Sequence, residues 1–342
     1  MRGAAADDPV LPCPLAGVRG AAARPASVTV VSLNTALDRT ISLDRLVPGT
    51  VHLAGSEGAV AGGKALNVAR VAAALGLRVR VLALVGGETG RQVRRLAAQE
   101  GLFARWVTTA GETRVCTILV DGENGATVVN GRGPEVRPEE VEALAERLWR
   151  RAAAGDTVVL TGSVPPGVPE DLYGEWVRRS RSLGAAEVVL DASGPRLAAG
   201  VAACPDVVKV NAQEFAVLAA GRDPLEAARD LVAAGVRLVV VTRGAQGAFA
   251  VSRQGAWLAE PPPVRAVNPT GSGDAFLAAL LDARSRALDM PAALAWASAA
   301  GALNAAQLMP GVPGRDAVRR AAEAARVRPW RPTREDAATS FA

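Results

Sequence analysis

The chain is nearly without histidine and lysine: His52 is the one histidine in 342 residues, and Lys64 and Lys209 are the two lysines among 39 basic residues. A single imidazole excludes a His-based catalytic triad and any ordinary zinc site. Cysteine is almost as scarce. Cys13, Cys116 and Cys204 are odd in number and share neither metal-ligand nor redox spacing, which points to a reducing, cytoplasmic setting rather than a disulfide framework. Aromatic residues make up only 4%, and the net charge of +5 is spread through arginines along the chain. The stacking platform and basic stripe of a nucleic-acid binder are therefore both missing. No apolar run is long and unbroken enough to span a membrane, so no membrane partner is expected either.

What is present describes a globular protein: 49% hydrophobic and 21% charged residues, enough to bury a full core as one large domain or two small ones. Residues 1–26 have no periodicity and no continuous apolar segment of the kind a secretory leader needs, and are expected to form a disordered extension. From residue 27 to about 327 strands and helices alternate in the α/β manner. Strands are expected at 27–33, 79–85, 157–160, 188–190, 207–210 and 238–242. Helices are expected from Gly62 to Leu75 and at 91–99, 138–153, 169–183, 212–219, 224–234, 291–307 and 314–326, with a tail over 328–342. A hairpin at 113–130 interrupts the alternation. With the weakly alternating stretch 39–61 it makes a small sheet outside the main layer, suited to a lid or a homodimer surface.

Polar and glycine-rich residues follow the strand ends repeatedly, and in open parallel sheets that edge is where ligands bind. The stretch Asn268-Pro269-Thr270-Gly271-Ser272-Gly273-Asp274 runs into an apolar segment of helical length. Its glycines let backbone N–H groups converge at the positive end of a helix dipole, a natural place for phosphate. A carboxylate there repels the anion unless it takes a proton from a nucleophile attacking it. Alternatively, Asp274 sits in the first helical turn merely because the dipole favours it.

The string Gly58-Ala-Val-Ala-Gly62-Gly63-Lys64-Ala65 approaches a P-loop, but Ala65 lacks the Mg²⁺-binding hydroxyl and no compensating strand ending in Asp is obvious. A Gly-Gly-Lys turn at a helix start remains, with Asn67 one turn along. Asn211 and Glu214, three apart at a helix start, suit a hydrated Mg²⁺ on nucleotide phosphates or a plain capping box. Thr242-Arg243-Gly244-Ala245-Gln246-Gly247 can pass close to a nucleotide or simply turn a hairpin. Arg114, in the lid hairpin, can clamp a phosphate or lie on the surface.

In this order the stretches resemble the PfkB or ribokinase-like family of sugar kinases, over nearly everything from Val28 to about residue 326. The resemblance is to the branch of 1-phosphofructokinase and tagatose-6-phosphate kinase-like hexose kinases. It is carried by Leu33-Asn34-Thr35-Ala36-Leu37-Asp38-Arg39-Thr40, Gly62-Gly63-Lys64-Ala65-Leu66-Asn67-Val68-Ala69-Arg70, Gly111-Glu112-Thr113-Arg114, Gly162-Ser163-Val164-Pro165-Pro166-Gly167 and Gly271-Ser272-Gly273-Asp274. It implies a three-layer α/β/α sandwich with a mostly parallel central sheet and a small β-sheet lid. It also implies transfer of the γ-phosphoryl group of ATP, with Mg²⁺, to a hexose phosphate. Asp274 would be the general base and Gly271, Ser272 and Gly273 the anion hole. Asp38, Gly62, Gly63, Lys64, Asn67 and Ser163 would hold the sugar, with Lys64 and Arg114 meeting a phosphate already on it. Lys209, Asn211, Glu214, Thr242, Arg243, Gly244, Gly247 and Asn304 would surround the nucleotide, Asn211 and Glu214 belonging to the metal network. Ala65 stands where the branch usually has Gly, and Val115 where it often has Asn. An unphosphorylated sugar, a nucleoside, or a sensor without catalysis are the competing readings of the same fold.

Overall fold

The structure, a computed structural model, describes residues 27–122 and 125–330; the expected N-terminal extension, turn residues 123 and 124, and residues 331–342 lie outside it. The chain opens with β1 (Val28–Ser32), β2 (Ala36–Leu43), β3 (Ser56–Gly62), α1 (Lys64–Ala74), β4 (Val79–Gly86), α2 (Gly87–Gln99), β5 (Ala104–Thr109), β6 (Arg114–Asp121) and β7 (Gly125–Asn130). There follow α3 (Pro138–Ala153), β8 (Thr157–Thr161), α4 (Leu172–Ser182), β9 (Glu187–Asp191), α5 (Pro195–Ala202), β10 (Val207–Asn211), α6 (Ala212–Ala219), α7 (Pro224–Ala234) and β11 (Leu238–Thr242). The last part holds β12 (Ala248–Ser252), β13 (Gly255–Glu260), α8 (Ser272–Ser285), α9 (Met290–Ala305), α10 (Arg315–Ala322) and β14 (Arg326–Pro329).

Ten strands form the main sheet in the order β14-β13-β12-β11-β10-β9-β8-β1-β4-β5. Pairing is parallel from β5 through β11, and antiparallel where β12, β13 and β14 add a meander at one edge. The strands are apolar on both faces because helices cover both. Val31, Leu160, Leu190 and Val210 pack with α3, α4, α5, α6 and α7. Val30, Val159, Val189 and Val240 pack with α1, α2, α8, α9 and α10. Helix α8 is buried along most of its length, wedged between α1 and α9, which explains its all-round apolar sequence.

The second sheet runs β3-β2-β6-β7, the small sheet outside the main layer expected to serve as a lid. Its central pair β2–β6 is parallel and its flanking pairs antiparallel.

The structure differs from the sequence reading mainly at edges. Helix α2 starts at Gly87, a turn before the expected 91, because Glu112 reaches over to accept the amides of Glu88 and Thr89 at 3.2 and 2.5 Å. Strand β5, the short α5 and strand β14 were not anticipated. The main sheet extends into what sequence assigns to the tail: β14 pairs with β13, and Trp330 stacks on Phe249 with ring centroids 4.8 Å apart. The 314–326 helix ends at Ala322 for that reason.

Candidate active site

Strands β8, β9, β10 and β11 lie side by side in the sheet, and the start of α8 comes close to Asp191 at the end of β9 and Lys209 on β10. Asn268 sets the loop entering α8. Its carbonyl accepts the Thr270 amide at 3.0 Å and its amide donates to Leu308 O at 2.8 Å. Gly271 then takes φ +82°, a conformation that a side chain would strain, and caps α8. The amide of Ser272 is spent on Pro269 O at 3.1 Å, whereas those of Gly271 and Gly273 make no hydrogen bond among the described residues. The anion-binding turn thus offers two amides rather than the three that sequence suggests. Asn304 lies buried beneath it. Its amide donates to Thr270 O and Ser272 Oγ at 2.9 and 3.1 Å, and its carbonyl accepts from Gly311 at 2.8 Å. Its side chain is engaged in holding the loop.

Asp274 is 5% exposed. Burial raises its pKa to about 6 against the pull of Lys64 and Lys209, with the neighbouring Asp191 charge raising it further and a hydrogen bond from Asn67 Nδ2 (3.0 Å) opposing. Such a carboxyl is ionised at neutral pH yet basic enough to take a proton.

Asp191 is the residue that sequence reasoning missed. It ends β9, is fully buried, and receives both of the chain's lysines: Lys64 Nζ at 2.9 Å and Lys209 Nζ at 3.1 Å. Desolvation opposes its ionisation, but the two ammonium groups hold its pKa below the carboxylate range. Burial would likewise lower Lys64, and the carboxylates of Asp191, Asp274 and Glu214 outweigh that and hold it above its ordinary value. The expectation that Lys64 is free for a substrate phosphate meets an ammonium already paired within the protein. The strand ending in Asp that seemed to be lacking is β9. A P-loop is still excluded, because Gly58 to Gly62 lie inside strand β3 and form no loop. Lysine Nζ of Lys209 also lies so close to Gly273 that a Cβ there would sit 2.9 Å from it.

The other end of the cleft is built on the lid. Asp38 projects from β2, 5% exposed, and accepts the Gly63 amide at 3.2 Å. Burial raises its pKa, opposed by that amide and by the charges of Arg114 and Arg70. A Cβ on Gly62 would be 2.1 Å from the Asp38 carboxyl carbon, so only glycine fits there. Arg114 donates from Nε to Asn34 O and from Nη1 to Gly131 O, both at 3.1 Å, fixing its guanidinium beside Asp38. Ser163 is exposed, and its hydroxyl accepts from Asn34 Nδ2 at 3.1 Å. Of Arg114's neighbours in its sequence motif, Glu112 caps α2 and Thr113 accepts the Gly86 amide at 2.9 Å, so much of that motif is scaffold. Ala65 lies in the first turn of α1 and is buried in the core, and Val115 is partly exposed on β6.

Asn211 and Glu214 do form a capping box: Glu214 N donates to Asn211 Oδ1 at 2.8 Å and Asn211 N to Glu214 Oε2 at 2.9 Å. The second carboxylate oxygen of Glu214 stays outside the box, 3.8 Å from Lys64 Nζ. Thr242 to Gly247 likewise make the hairpin turn from β11 to β12, closed by Arg243 N on Gly247 O at 2.7 Å. Asn211, Thr242 and Arg243 all lie on the same sheet edge as the α8 loop.

An anion-binding helix start with a buried carboxylate beside it is the arrangement of a phosphotransferase with an alcohol group as acceptor. Residues 30–313 match the description of pfkB family carbohydrate kinases, and the chain belongs to that family. It is 37% identical over 285 residues to a 1-phosphofructokinase of Rhodobacter capsulatus, covering 81% of this chain and 90% of that protein. It is 32% identical over 259 residues to the 1-phosphofructokinase of Escherichia coli, covering 74% and 83%. Among solved structures, a possible 1-phosphofructokinase from Thermotoga maritima superposes with a TM-score of 0.81 at 23% identity, covering 89% of this chain and all of that one. Phosphofructokinase-2 of Escherichia coli gives 0.80 at 24%, covering 87% and 98%.

Proposed function

We propose that the protein transfers the γ-phosphoryl group of ATP to a free hydroxyl of a ketohexose monophosphate, with fructose 1-phosphate the first acceptor to test and fructose 6-phosphate and tagatose 6-phosphate next. The observation that carries this is Asp274, buried, basic and directly behind the two free amides of the α8 loop. The name shared by its relatives supports the acceptor. Asp274 takes the hydroxyl proton as the oxygen attacks phosphorus. The amides of Gly271 and Gly273 and the Lys209 ammonium offset charge on the group in flight, and the lid excludes water. Turnover of ATP across a panel of hexoses and hexose monophosphates tests the reading. Transfer to unphosphorylated sugars alone would overturn the acceptor assignment.

The donor set suits magnesium carried on nucleotide phosphates rather than a dedicated protein cage, since Glu214 keeps one hard oxygen outside the capping box, in loose contact with Lys64 at 3.8 Å, and Asn211 keeps a second lone pair. Those two residues would hold it through its water shell. Bound there, the ion would neutralise phosphate charge.

Arg114 is the cation of the lid end, and we assign it the phosphate that the acceptor already carries. Arg114→Ala is expected to raise KM for the sugar phosphate by about ten- to a hundredfold, the range of one lost charge-assisted contact, with kcat much less changed. Steady-state kinetics check this, and an unchanged KM removes the assignment. Because Asp274 must be ionised, activity is expected to fall below about pH 6, where its carboxyl protonates. A pH–rate profile that stays flat to pH 5 would contradict the base. The lid sheet also leaves Val128 and Val129 partly exposed, and we infer that it is the surface through which a homodimer forms.

A further inference from the structure

Arg70 lies one helical turn beyond Asn67 on α1, and all three of its guanidinium nitrogens are engaged. Nη1 donates to Asn67 Oδ1 at 2.8 Å, Nε to Glu100 Oε2 at 2.6 Å, and Nη2 to Ala61 O at 2.5 Å. The other Glu100 oxygen accepts the Ala61 amide at 3.4 Å. Ala61 is thereby gripped at both its N–H and its C=O. It immediately precedes Gly62 and Gly63, the two residues against which the Asp38 carboxyl rests.

The chemistry of Asn67 makes the other contact directional. Its amide can present either nitrogen or oxygen to Asp274, and an ionised carboxylate needs the nitrogen. A guanidinium only donates, so Arg70 accepts no arrangement except the one with Asn67 Oδ1 facing it and Nδ2 facing Asp274. An ionised Asp274 favours the same arrangement, and Arg70 keeps it in place while the carboxyl carries a proton as well.

We propose that Arg70, held by Glu100, is a positioning residue of the phosphoryl transfer: it fixes the amide that orients the base and, through Ala61, the Gly62-Gly63 turn that seats Asp38. One side chain thus couples the two ends of the cleft at the point where lid strand β3 joins the core. The inference rests on Asp274 as the base but on no particular acceptor. A cavity of about 660 Å³ lined by Val60, Arg70, Leu96, Glu100 and Pro310 opens onto the clamp, which gives a small cation access to it.

The test is Arg70→Ala, assayed with whichever acceptor supports turnover in the wild-type enzyme, so that a different acceptor leaves it intact. Loss of positioning is expected to lower kcat by about ten- to a hundredfold. The acid limb of the kcat profile should move to higher pH, because the Asn67 hydrogen bond no longer favours the ionised base. Added guanidinium ion should recover kcat in Arg70→Ala and leave the wild type unchanged. A kcat within twofold of wild type, or a loss with neither limb shift nor rescue, would overturn the proposal. Should that variant not fold, Glu100→Gln keeps an acceptor for Ala61 but removes the charge that holds Arg70. It is expected to shift the limb in the same direction with a smaller fall in kcat, and an unchanged profile would count against the clamp.

Discussion

Asp274→Ala is expected to lower kcat by about 10²–10⁴-fold while ATP still binds, the range that a positioned general base contributes. The carboxyl is placed for that effect by features that have no other evident use. It is buried at the start of α8, adjacent to the two amides left without partners, and Asn67 holds one of its oxygens at 3.0 Å. Asp274→Asn is the sharper variant. It preserves size and burial and even a polar contact to Asn67, yet cannot accept the proton, so it should lose nearly as much kcat as the alanine variant. Nucleotide affinity, measured by calorimetry, should change little in either, because the proposed phosphate contacts are the Gly271 and Gly273 amides and Lys209 and do not include this carboxyl. If Asn at 274 sustains near wild-type kcat, Asp274 is only the dipole-favoured residue of a first helical turn.

How much of this was legible in the sequence depended on whether the signal was local. Strands such as Val79–Gly86 and Leu238–Thr242 declare themselves because both faces are largely buried and every position but Arg80 in the first and Thr242 in the second is apolar. Helices Ala212–Ala219 and Pro224–Ala234 carry their own caps, Asn211 and Asp223, and fall on the expected bounds. Edge strands do not declare themselves. β5 alternates buried and exposed residues around Arg105, and β14 is an Arg-rich four-residue strip whose one hydrogen-bonded neighbour among the described residues is β13.

The same distinction divides the site. The glycine turn and its carboxylate are contiguous and could be read directly. The scarcity of lysine marked Lys64 and Lys209 as special without revealing their partner, because Asp191 stands 127 residues from one and 18 from the other. The clue was a β-branched run, Val188-Val189-Leu190, that ends in an acid on the strand beside the one carrying Lys209. Sequence names Asn304 as a nucleotide residue, but its hold on the loop is not legible there: it belongs to a helix 32 residues beyond Ser272, and only folding brings it under the loop.

Asp191→Ala should therefore cost more stability than any change at the exposed rim. Removing one partner of a buried ion pair costs about 3–5 kcal/mol, because the remaining charge stays desolvated, and here Lys209, 4% exposed, is left so. Lys64, a third exposed, can turn toward water and recover part of its hydration. Urea unfolding measures the loss, and a fall below about 1 kcal/mol, the worth of an exposed pair, would contradict the assignment. The Asp191 pKa lies below its ordinary 3.8, so its stabilisation is fully present above that pH and is lost as pH falls through the lowered value. Catalysis should respond separately, and Asp191→Asn, which keeps shape but removes the charge, isolates it. Asp191 raises the pKa of Asp274, and its two lysines lower it. Without the Asp191 charge both influences favour the ionised base, so the acid limb should move below about pH 6 while the weaker base lowers the plateau. Phosphates of ATP and sugar titrate identically for both proteins, which leaves the difference between the two profiles to Asp274 alone. An acid limb that stays in place, or moves upward, would mean that the two lysines answer to Asp191 for structure only.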